Sequence, residues 1–208
     1  MKNHFFSIFT FLLFFGCSST KNAVKKSFSK EEFKLIMNAD SLKPMRVYKI
    51  TDKKDSVLLR NKSTYIKPNS KNPVLQNFIK RLYATVKDSM SMGVGIAAPQ
   101  VGVLKNIIWV QRFDKVDFPF EVYLNPKIIN YSEQKQTIKE GCLSIPDRSD
   151  MLNSRSKTIA IEYDTMQGKH KTETVESFTA VIFQHEIDHL NGILYLDHLR
   201  KETRNINP

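Results

Sequence analysis

The chain has 208 residues, 41% hydrophobic and 25% charged, which is the length and make-up of one globular domain with a buried core and gives no reason to look for a second. Its formal net charge is +11, yet residues 21–87 hold 17 Lys/Arg against 5 Asp/Glu and the remainder is close to neutral, so the excess belongs to the N-terminal part. No recognisable nucleic-acid module or aromatic-interleaved basic motif accompanies that charge, so nucleic-acid binding is not expected; a solvated lysine-rich surface is the plain reading, and attraction to anionic headgroups the functional one.

Taken in chain order, Lys2 precedes an apolar run over residues 5–15 broken only by Ser7 and Thr10, the charged-then-apolar order of a secretory signal. The run is too short for an ordinary transmembrane helix. Gly16 and Cys17 close it, and Ser18 begins a polar stretch. This resembles a bacterial lipoprotein signal, which implies a signal peptide over 1–16, a lipidated Cys17 as the new N-terminus, and a membrane-anchored protein on the periplasmic side. Phe14 and Phe15 depart from the aliphatic and small residues usual in such signals, and an unprocessed leader would leave the protein cytoplasmic. Residues 17–45 are expected to form a basic, polar tether with at most a short helix over 30–38, and the domain proper to cover 46–208. The two cysteines have separate jobs in this reading, so no disulfide is expected and Cys142 should be a free thiol.

From Asn72 the pattern sharpens. Asn72 suits an N-cap and Pro73 the first helical position, and Leu75, Phe78, Ile79, Leu82, Tyr83 and Val86 recur at three- and four-residue spacing, predicting an amphipathic helix that ends before Gly93. Strands are predicted over 107–110, 121–124, 158–163 and 171–175, with a hairpin turn over 164–168. A last helix over 177–190 places Phe178, Val181, Ile182, His185 and His189 on one face, and Gly192 supplies its stop. The fold class is therefore α+β, one mixed or antiparallel sheet embracing a C-terminal helix.

That helix carries His185-Glu186-Ile187-Asp188-His189, an H-E-x-x-H arrangement. Residues four apart lie on one helix face, roughly 6 Å apart, so both imidazoles can reach one cation with Glu186 beside it. Alone the pattern is only suggestive, since two polar helix residues can be histidines by chance. A third ligand is needed. Downstream only His198 remains, at a spacing that fits no extended form of the motif, and Asp197 has the look of a surface or cap residue. Upstream, Gly141-Cys142-Leu143-Ser144-Ile145-Pro146 offers a cysteine in a rigid loop. Cys plus two His leaves a fourth position open, as catalytic sites require.

Three segments, 93–100 (GVGIAAPQ), 140–144 (EGCLS) and 185–189 (HEIDH), resemble in order and spacing the three motifs of the peptide deformylase family, and weaker echoes at 55–58, Asn125-Pro126 and 189–192 extend the likeness over about 48–199. The resemblance implies a peptide deformylase-like fold and hydrolysis of the N-formyl group of N-formylmethionyl peptides, releasing formate. It implies Cys142, His185 and His189 as ligands of one divalent ion, normally Fe2+ with Zn2+ or Ni2+ able to replace it. Glu186 would be the acid/base, and Gln100 with the Leu143 N–H would hold the formyl oxygen. Gly95 would let the backbone approach substrate, although a simple turn glycine is nearly as good a reading. Arg155 is a candidate substrate contact, with an exposed arginine as the default. A monomer is expected. Departures fall on the rim: residues 147–151 (DRSDM) replace a glycine-containing loop, Ser177 and Val181 stand where Gly and Arg are frequent, and the tail after Asp197 leaves no room for a long C-terminal helix. A metallopeptidase and a non-catalytic metal- or formyl-peptide-binding lipoprotein remain the alternatives.

Overall fold

The computed structural model describes residues 27–88 and 93–206, with side chains as far as 204. The expected signal over 1–16, Cys17 and the first part of the expected tether lie outside the described residues. Helix α1 (Lys30–Met37) opens on a capping box, Glu32 N–H donating to the Ser29 hydroxyl and Ser29 N–H to the Glu32 carboxylate. The tether expected over 17–45 is corrected for residues 27–45, which pack as part of the domain. Phe28, Ile36 and Met45 are buried with residues of α3 (Pro73–Lys87), and the buried Arg81 on α3 donates to the carbonyls of Leu35 and Ile36 and to that of Lys43. The Leu35 and Ile36 carbonyls are groups that a helix end leaves unpaired. The sequence hides this because three widely spaced apolar residues have no period, and their polar partner lies 45 residues further along the chain from Ile36.

Helix α3 starts as its sequence predicts, the Asn72 side chain accepting from Val74 and Leu75 N–H, and it stops at Lys87. Before it, α2 (Lys53–Leu59), capped by Asp52, has no counterpart in the sequence reading. The main sheet comprises β1 (Gly95–Ala97), β2 (Ile107–Gln111), β3 (Phe120–Tyr131), β6 (Thr158–Asp164) and β7 (His170–Glu176), antiparallel and in that spatial order. Alternation along β2 sends Ile107 into the core shared with α3, and Ile108 and Val110 into the core shared with α4 (Ser177–Leu190). The sheet is thus covered on both faces.

The single sheet expected from sequence is corrected by a second, two-stranded one, in which β4 (Lys135–Cys142) pairs with β5 (Ile145–Ser156). Only Glu140 is buried along β4, so no apolar alternation announces it. The pairing also corrects the loop expected around Cys142, which ends β4 and faces Ile145 across a two-residue turn. Helix α4 is buried from Thr179 to Leu190 at every position but Asp188, which is why its apolar residues run around the helix rather than along one stripe. Just past its C-cap Asn191 stands Gly192, φ 71°, where a Cβ would be 2.3 Å from the Arg60 carbonyl oxygen. The chain closes on α5 (Tyr195–Ile206), 12 residues long, begun by Asp197 accepting from Leu194 N–H. Among the described residues no helix is long and apolar enough to cross a membrane.

Candidate active site

Three stretches of chain far apart in sequence meet at one cleft. β1 and the 3-10 turn Ala98–Val101 bring Gly95 and Gln100, the end of β4 brings Glu140, Cys142 and Leu143, and α4 brings His185 and Glu186. These residues line a cavity of about 500 Å³ whose apolar wall includes Phe178, Val181 and Ile182. His189 lies one helical turn beyond His185, buried, with Nε2 3.2 Å from Cys142 Sγ. One ligand atom from each of Cys142, His185 and His189 lies within 4.8 Å of the others.

Second contacts set the chemical state of this trio. Glu140 Oε2 lies 2.8 Å from His185 Nδ1, while Arg155 grips the same carboxylate at 2.6 and 3.0 Å. Burial works to raise the Glu140 pKa, but His185 and Arg155 hold it down at about 2. An ionised carboxylate only accepts, so Nδ1 of His185 carries a proton and Nε2 is the nitrogen left to face an ion. Burial opposes charge on His185, yet the neighbouring Cys142 and Glu140 raise its pKa well above the usual value, so an ion binding at Nε2 would displace a proton from it. Burial, with His185 and Arg155 close by, depresses His189 well below its usual value and keeps it a neutral donor. A soft sulfur and two imidazoles, each with a ligand atom within 4.8 Å of the others, fit a divalent metal.

Glu186 is buried beside this trio, and its Oε2 has no hydrogen-bond partner among the described residues. Burial pushes its carboxyl up to about 7; Glu140 and Asp188 add to the effect and His185 opposes it. Gln100 is fixed by its own turn. Ala97 N–H donates to its Oε1 at 2.8 Å, which turns Nε2 toward Ser144 Oγ at 3.3 Å and Cys142 Sγ at 3.7 Å. A strap at residues 46–50 ties both pieces, Tyr48 N–H donating to Gln100 O and Ile50 N–H to Ser144 O. Buried Asp55 holds that strap through Arg46 and the Lys49 N–H.

Arg155 is a correction. It is 3% exposed, its guanidinium is taken by Glu140 and by Asp188 at 2.6 Å, and it does not line the cleft. A side chain so committed cannot reach substrate; it holds Glu140 under His185 instead. Glu140, Asp188 and Ser144 were given no role by sequence. One signal was available for Glu140: it precedes Cys142 by two residues, the spacing that puts both on one strand face. Gly95 also gains a different reason from the one expected, since a Cβ there would stand 2.5 Å from Glu186 Oε1 and 2.8 Å from Ile182 Cγ2.

Residues 46–205 match the polypeptide deformylase family model. The chain is 43% identical over 121 residues to a peptide deformylase of Desulforudis audaxviator, covering 57% of this chain and 76% of that one. Among solved structures, the class I type b peptide deformylase from Acinetobacter baumannii has a TM-score of 0.66 at 32% identity, covering 74% of this chain and 99% of its own. The peptide deformylase from Thermotoga maritima has a TM-score of 0.65 at 30% identity, over 74% and 97%.

Proposed function

This chain belongs to the peptide deformylase family, metal-dependent hydrolases that remove the N-formyl group from peptides, and we propose that it does so with Cys142, His185 and His189 holding one divalent ion and Glu186 moving the proton. The carrying observation is the meeting of those three ligand atoms beside a buried, unpartnered Glu186 oxygen. The ion supplies Lewis-acid activation when bound. Glu186 Oε2 accepts a proton from the attacking water as its oxygen bonds to the formyl carbon, then delivers that proton to the departing nitrogen as the C–N bond breaks, giving formate and a free amine. Gln100 Nε2 and the Leu143 N–H donate to the oxygen on which negative charge develops. Phe178, Val181 and Ile182 offer the methionine side chain an apolar wall.

The close approach of Gly95, Ile182 and Glu186 favours a formyl carbon, which carries only hydrogen, over the acyl carbon of an internal peptide bond. Incubation with a formyl-methionyl peptide should release formate and create no internal ends. New internal ends would turn the reading to a peptidase. Ferrous iron is the ion we propose, with zinc or nickel able to take the same donors; elemental analysis of protein purified without oxygen tests this.

We further propose that the leader directs lipidation at Cys17 and anchoring on the periplasmic side of a membrane, supported by the apolar run over 5–15 and the lysine-rich stretch after it. Mature mass with a lipid on Cys17, lost in Cys17→Ser, is the expected result. A soluble protein that still carries Met1 would overturn it.

A further inference from the structure

The cleft has a charged rim that the chemistry at its floor does not use. Glu140 and Glu186 are buried at that floor, whereas Lys49, Lys139, Asp147 and Arg148 are exposed lining residues. Arg148 is committed to Asp150 at 2.7 and 3.2 Å. Lys49 and Lys139 are the two lysines that line the cleft, and their ammonium groups have neither ion pair nor hydrogen bond among the described residues. Both lysines stand on fixed backbone. The Lys49 N–H donates to Asp55 at 3.0 Å and the next residue is tied to Ser144 O, while Lys139 sits on β4 opposite Met151, three residues before Cys142.

We infer that Lys49 and Lys139 form a subsite for a carboxylate that the formylated peptide carries a few residues beyond its methionine. An extended peptide advances roughly 3.3 Å per residue, so with its formyl group beside Cys142 its third residue lies about 10 Å outward, toward the mouth. A free C-terminal carboxylate at that point marks a short released peptide, and an acidic side chain there supplies the same group. Asp147 is the one exposed carboxylate among the lining residues, so the two unpaired ammonium groups leave the rim cationic. Such exposed attraction is worth several-fold at low ionic strength and is screened by salt.

The inference rests on the reading of this cleft as the peptide-binding site. The test compares kcat/KM, on the metal-loaded full chain, for formyl-Met-Ala-Ala as the free acid, formyl-Met-Ala-Ala-amide and formyl-Met-Ala-Asp-amide. The carboxylate-bearing peptides should exceed the plain amide by roughly 3- to 10-fold in low salt, with the advantage falling toward unity in half-molar salt and in Lys49→Gln/Lys139→Gln. Preference for the free acid alone identifies the terminus as the source, and for the aspartyl peptide alone the side chain. Lys139→Glu should shift preference toward formyl-Met-Ala-Lys-amide. Equal rates for all three peptides in the wild type, or a preference unchanged in the double variant, overturn the subsite and leave the deformylase reading standing. Deformylation of none of the three overturns both.

Discussion

The Cα of Gly95 lies so close to the Glu186 carboxylate that a Cβ at residue 95 would stand 2.5 Å from Oε1. Strand β1 and helix α4 are therefore in contact at the position where the acid/base acts, and glycine is the residue that permits it. Gly95→Ala should displace Glu186 or the strand by roughly 1 Å, the gap between this distance and ordinary van der Waals contact. A misplacement of about 1 Å costs on the order of 10²-fold in rate. Turnover should fall by about that factor while bound metal stays near one per chain. Normal turnover in a well-folded Gly95→Ala protein would show that the contact has no catalytic consequence.

Glu186→Gln separates proton transfer from metal binding, because the glutamate is not needed as a ligand once Cys142, His185 and His189 take three positions. The variant should keep its metal and lose roughly 10² to 10⁴ in kcat, the usual contribution of a positioned acid/base. Kinetics and metal content on one sample decide it. Near-normal turnover in the loaded variant would place the proton carrier elsewhere.

Glu140→Gln keeps the shape of the group under His185 but removes the charge that fixes Nδ1 as donor and pairs with Arg155. Metal affinity should weaken by roughly 10- to 100-fold, as for comparable outer partners of metal ligands. Titration calorimetry with Zn2+ measures this directly, and unchanged affinity would reduce Glu140 to a purely structural ion pair.

Ser177 begins α4 with φ 55°, a left-handed conformation that costs a non-glycine residue about 1 kcal/mol or more. Its side chain is exposed and its neighbourhood is otherwise satisfied, Ser177 N–H donating to Lys157 O at 2.7 Å. Ser177→Gly should stabilise the protein by about 1 kcal/mol, or roughly 2–4 °C in Tm. A lower Tm would mean that the added freedom of the unfolded chain outweighs the relief of strain.

The elements that sequence made legible are those whose signals are local. The 3.6-residue recurrence and Asn72-Pro73 start of α3, the His185/His189 pair one turn apart on α4, and the alternation of β6 each lie within one stretch of chain, where a periodic apolar pattern or cap dictates local structure. The short segments 93–100, 140–144 and 185–189, read side by side, also carried the family. Tertiary structure decided what depends on pairing distant residues. β4 and β5 have no apolar face to advertise, and they exist because each supplies the other's backbone partners. Residues 27–45 read as tether until Arg81 is seen to satisfy the end of α1. Arg155 reads as a surface arginine until Glu140 and Asp188 enclose it, since a buried charge is tolerable only with partners that lie 15 and 33 residues away. Gly95 likewise shows its purpose only when α4 packs against it, because a missing Cβ has meaning only beside the atom it makes room for.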